Sequence, residues 1–70
     1  MIYEDHILAM LKFEGFNKQF ESFLLEYPTQ ELAYDATERL YYSKFKQNKY
    51  NDFESFKQVR YRFYKKVSKN

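Results

Sequence analysis

Cysteine and tryptophan are absent from this 70-residue chain, and glycine, proline and histidine occur once each. Without cysteine there is neither a disulfide framework nor a thiolate metal site to add stability. One glycine and one proline leave too little punctuation for an all-β fold, which needs several tight turns. A single glycine also excludes a glycine-rich phosphate loop. The longest apolar run, Ile7-Leu8-Ala9-Met10-Leu11, falls far short of the roughly 20 residues that span a bilayer. The segment Met1-Ile2-Tyr3-Glu4-Asp5 is acidic where a secretory signal carries a basic stretch, so a soluble, cytoplasmic protein with no membrane partner is expected. Acids run out as well: none follows Glu54.

Aromatic rings fill the place of these missing residues. Eight Phe and eight Tyr stand among 70 residues, and each such ring buries roughly 150–250 Å². That matters in a chain so short that burial and chain entropy nearly cancel. A hydrophobic content of 44% is too high for a disordered chain, and residues 1–70 read as one small domain. Residues with AT-rich codons (Phe, Tyr, Met, Ile, Asn, Lys) number 33 against 8 for Gly, Ala, Arg and Pro, a bias that in a chain this short suits a phage or mobile element.

The apolar spacing predicts an all-α, compact antiparallel bundle of about four helices, over 3–14, 17–27, 30–47 and 52–67. In the first helix Tyr3, Ile7, Met10 and Leu11 share a face, and Gly15 suits a left-handed C′ position after it. Asn17 reads as the N-cap of the second helix, whose stripe is Phe20, Phe23, Leu24 and Tyr27 before Pro28 stops it. Thr29 caps the third helix with Glu31 in its first turn, and Asn-Lys-Tyr-Asn-Asp at 48–52 breaks it. Asn51 followed by Glu54 resembles a capping box for the fourth helix, with stripe Phe53, Phe56, Val59, Phe63 and Val67. The expected core is Leu11, Phe20, Phe23, Leu24, Leu40, Phe56 and Phe63.

Catalytic chemistry finds no foothold in these residues. His6 has no cysteine and few hydroxyls near it in sequence, so no nucleophile–base pair can be drawn. Glu31, Asp35 and Glu38 line one face of helix 3 and read as a solvated acidic row rather than a metal site. No enzyme activity, cofactor, metal or small-molecule substrate is therefore expected.

The opposite side of helix 4 carries Arg62, Lys65 and Lys69, with Lys66 at its edge and Tyr61 and Tyr64 interleaved. Such a set either solubilises an outer face or contacts phosphates and stacks on bases. Arg60 instead falls inside the apolar arc, where it must snorkel or find an acid from the N-terminal half.

Helix 3 is apolar on two sides. Its narrow stripe is Leu32, Ala33, Ala36, Leu40 and Ser43, yet Tyr34, Tyr41 and Phe45 lie opposite, and Tyr42 stands beside the acidic row. Two arrangements produce this pattern: helix 3 sandwiched between other helices, or an exposed aromatic patch that meets another molecule. Charge is divided as well. Residues 1–38 carry a net −6 and residues 39–70 a net +8. On the second arrangement the chain is a small non-enzymatic helical interaction module, acting as a regulator, inhibitor or adaptor, that docks on a partner protein or forms a homodimer through Tyr34, Tyr41, Phe45 and Tyr42. The alternative is nucleic-acid binding through Arg62, Lys65, Lys66 and Lys69.

Overall fold

A computed structural model describes residues 5–68 of the chain. Tyr3 and Lys69 lie outside them, as do the side chains of His6 and Val67. Four helices follow one another: α1 (Asp5–Ala9), α2 (Phe13–Leu24), α3 (Gln30–Phe45) and α4 (Phe53–Ser68). The chain is all-α, and no strand occurs among the described residues. None of these helices is long and apolar enough to cross a membrane.

The first half departs from the expected boundaries. Helix α1 ends at Ala9 because the next three amides turn back by three residues rather than four. Met10 N–H donates to the Ile7 carbonyl at 3.0 Å, Leu11 to Leu8 at 3.1 Å and Lys12 to Ala9 at 3.0 Å. That 3₁₀-type tightening leaves Lys12 extended as the N-cap of α2, without a side-chain cap. Gly15 is therefore inside α2 and caps nothing. A Cβ there would lie 2.0 Å from the Ala9 carbonyl oxygen, so glycine is required for the close approach of α1 and α2. Leu11, expected in the core, is 48% exposed in the connecting turn. Starting α2 at Phe13 extends its inward face backwards, so that Phe13, Phe16, Asn17 and Phe20 precede Phe23 and Leu24 on one side.

The second half follows the local signals more closely. Thr29 is extended and its Oγ1 accepts from Leu32 N–H at 3.2 Å, the expected cap of α3. At the other end Lys46 adopts a left-handed conformation (φ 62°) and its N–H donates to the Tyr42 carbonyl at 2.8 Å. The cap of α4 is Asp52 rather than Asn51, with Asp52 Oδ1 accepting from Ser55 N–H at 2.8 Å.

At the centre of the core stands Phe56. Its ring centroid lies 4.9 Å from that of Phe20, 5.3 Å from Phe16, and 5.4 Å from both Tyr34 and Tyr50. The pairings Phe20–Phe56 and Phe13–Phe63 set α4 antiparallel to α2. Met10, Phe16, Ala33 and Thr37 are fully buried around this centre, while Phe23, Leu24 and Leu40 pack partly buried against it. Helix α3 buries both its small stripe (Ala33, Ala36, Thr37) and its tyrosine face, more than half of its circumference. The sandwiched arrangement is the one adopted.

Candidate interaction surface on the fourth helix

Of the four residues expected to form an aromatic docking patch, two are inside the protein. Tyr34 and Tyr41 are each only 4% exposed, and Phe45 is half-buried with its ring 4.7 Å from that of Tyr41. Tyr42 alone remains open, at 53% exposure. The exposed-patch expectation for α3 is thus overturned, because α2 and α4 cover the face on which the rings stand.

The acidic row of α3 also divides. Glu31 and Asp35 are solvated, but Glu38 is buried and organises the α3–α4 connection. Its carboxylate accepts from Tyr34 Oη at 2.6 Å, Lys49 N–H at 2.9 Å and Tyr50 N–H at 2.9 Å. Burial first, and the hydrogen bond to Glu38 second, raises the Tyr34 hydroxyl well above the ordinary phenol range. Burial and the Glu38 charge push Tyr50 up to about 12. Lys49 threads past this site, its Nζ donating to the Leu11 carbonyl at 2.6 Å and lying 5.6 Å from the Tyr41 ring centroid. Burial lowers its pKa from the usual lysine range.

Helix α4 shows a different division. Its inward side carries Phe56 and Phe63, and Arg60 lies between them without being an unpaired charge. Arg60 Nε donates to Asn17 Oδ1 at 2.8 Å and Nη2 to Glu21 Oε2 at 2.8 Å. Tyr64 Oη donates to the same Glu21 oxygen at 2.9 Å and accepts from Asn17 Nδ2 at 2.8 Å. The four side chains close a ring between α2 and α4. Asn17, which the sequence suggests as a helix cap, is buried and has both ends of its amide bonded, as a buried polar group requires. The Arg60 guanidinium also lies 5.2 Å from the Phe20 ring centroid and 5.1 Å from that of Tyr64. Its hydrogen bond, with that of Tyr64 second, holds the Glu21 carboxyl below the usual carboxylate range. The acid from the N-terminal half that Arg60 needs is Glu21.

Outward, α4 presents Lys57, Tyr61, Arg62, Lys65 and Lys66, all exposed, with Tyr61 at 66%. Lys65 Nζ stands 5.8 Å from the Tyr61 ring centroid. Lys57 Nζ lies 5.1 Å from the Phe53 ring centroid and pairs with Glu54 at 3.0 Å. Three of the four cations expected to contact nucleic acid, Arg62, Lys65 and Lys66, are thus brought together on this surface, and Lys69 is outside the described residues. Where α4 meets α2 and the start of α3, a groove of about 360 Å³ opens. Phe53 lies half-buried in its floor above the buried Phe20 and Phe56, and Lys57, Tyr61 and Tyr64 rise from α4 along it. Lys57 and Tyr61 share one helix face by their i, i+4 spacing, but the groove also needs Phe20 and Gln30, which no local pattern links to α4. Comparison with protein family models, curated proteins and solved structures finds no match for this chain.

Proposed function

We propose that the chain is a small, non-enzymatic helical interaction module whose working surface is the outward side of α4, docking on an acidic surface of a partner protein. One observation carries this reading: Lys57, Arg62 and Lys65 flank the exposed Tyr61, with an exposed Lys66 beyond them, on a helix in which no acid follows Glu54. Charge complementarity of this kind steers encounter and selects partners, and tyrosine supplies large contact area with a polar tip. The buried Tyr34 and Tyr41 have no part in it. The ring of Asn17, Glu21, Arg60 and Tyr64 fixes α4 on α2, so the surface is presented in one orientation.

A second reading, nucleic-acid binding, is favoured by the same exposed Tyr61 among cations, an arrangement that also stacks on bases. Exposed carboxylates at Glu26, Glu31 and Asp35 oppose a polyanion. Immobilised protein and an Arg62→Glu/Lys65→Glu/Lys66→Glu variant separate the two in host extract at low salt. Wild type should retain a protein that resists nuclease treatment, and the variant should lose it while melting as wild type does. Retention unchanged by charge reversal would overturn the proposal, and retention abolished by nuclease would transfer the surface to nucleic acid.

A further inference from the structure

We infer that the groove on α4 is a self-docking slot that receives the Leu25–Glu26 corner of a second copy of this chain. The inference rests on α4 being the working surface and names its partner. Leu25, in the turn that ends α2, is 90% exposed. Glu26 follows it, and the first turn of α3 adds an exposed Glu31 beside an exposed Leu32. Singly exposed leucines are ordinary on protein surfaces. Here each of two exposed leucines adjoins an exposed carboxylate in sequence, Leu25 beside Glu26 and Leu32 beside Glu31, and the same protein carries a groove edged by Lys57.

The complementarity is chemical as well as geometric. The half-buried Phe53 and the exposed rings of Tyr61 and Tyr64, above the buried Phe20 and Phe56, offer an apolar bed for a leucine side chain. Lys57 at its edge, held only by a solvent-exposed pair with Glu54, can turn to Glu26 or Glu31 of the arriving copy. Tyr64 and Arg60 are already held by Asn17 and Glu21, so that wall is pre-organised and loses little entropy on docking. Gln30 lines the groove, Glu31 follows it, and the Leu25–Glu26 turn leads into the same end of α3, so slot and corner lie close along the chain. Such placement suits a two-fold pair in which each copy inserts its corner into the other, an arrangement that closes on itself.

The prediction is a reversible dimer that loosens as salt screens the cation–carboxylate contacts. Sedimentation equilibrium over a concentration series should show it. Leu25→Lys and Tyr61→Glu change only exposed positions, so both variants should melt as wild type does. Each should weaken dimerisation at least about tenfold, or about 1.4 kcal/mol. Mixed in equal amounts, the two should recover a dimer, because the Leu25→Lys copy keeps a native slot and the Tyr61→Glu copy a native corner. A wild-type protein that stays monomeric throughout the series, or a mixture that fails to dimerise, would overturn the inference. An α4-dependent protein captured by that monomer would still support the broader reading, so the two failures are distinguishable.

Discussion

Helices α3 and α4 have the same length, 16 residues each, and both are rich in aromatic rings, yet they use them in opposite ways. In α3 the tyrosines at 34 and 41 turn inward, and the helix is buried around more than half of its circumference. In α4 the inward side carries Phe53, Phe56, Phe63 and the paired Arg60, while Tyr61 and a set of cations face solvent. An aromatic surplus on a helix does not by itself mark a binding surface. In a small protein without cysteine it goes first to the core, and what matters is which rings remain after the central helix has been covered on both sides.

The largest expected effect tests where the two helices meet. Phe56→Ala removes the ring that joins Phe16, Phe20, Tyr34 and Tyr50, and should cost roughly 3–5 kcal/mol. Circular dichroism should then show a largely unfolded chain at room temperature; a cooperative melt near that of wild type would mean that α4 does not supply the centre of the core. Next comes Glu38→Ala, which strands the Tyr34 hydroxyl and the Lys49 and Tyr50 amides. Leaving such groups unpartnered should cost about 2–3 kcal/mol, and amide exchange at 49 and 50 should accelerate. Unchanged exchange there would show that the α3–α4 connection is held by something else.

Alkaline pH probes the same corner. The Tyr34 and Tyr50 pKa values are raised on folding, so the folded state binds more protons than the unfolded one above pH 10.0. Stability is therefore full below that value and should fall as pH rises from about 10 to about 12. Tyr50→Phe should flatten part of this decline in melts followed across that range, and an undiminished slope would remove Tyr50 from the account. The smallest effect lies at the end of α3. Lys46 is a non-glycine residue in the left-handed region, so Lys46→Gly should stabilise the fold by about 1 kcal/mol. A destabilised variant would instead give the lysine side chain a structural role.

Much of this architecture is legible in the sequence, and the exceptions share a cause. Thr29, Pro28 and the break at 48–52 act on their own neighbours, so local reasoning places α3 and the start of α4 within a few residues. Gly15 and Asn17 each have two physical uses. Glycine permits a left-handed turn or a close helix contact, and asparagine caps a helix or bridges two buried partners. Only the positions of Ala9, Arg60 and Tyr64 decide between these uses, and they belong to other elements. The inward position of Arg60 and its need for an acid from the N-terminal half are readable from the helical wheel, but the identity of Glu21 is not. The groove is assembled from α2, α3 and α4 together and leaves no signature in any one of them.

The most direct test is to make the same substitution at one tyrosine of each helix, Tyr41→Ser in α3 and Tyr61→Ser in α4, and to compare their thermal unfolding. If α3 buries Tyr41 for stability while α4 leaves Tyr61 free of the core for binding, Tyr41→Ser should lose roughly 3 kcal/mol or more. Tyr61→Ser should then stay within about 0.5 kcal/mol of wild type. Similar losses for both variants, or a larger loss for Tyr61→Ser, would contradict that division.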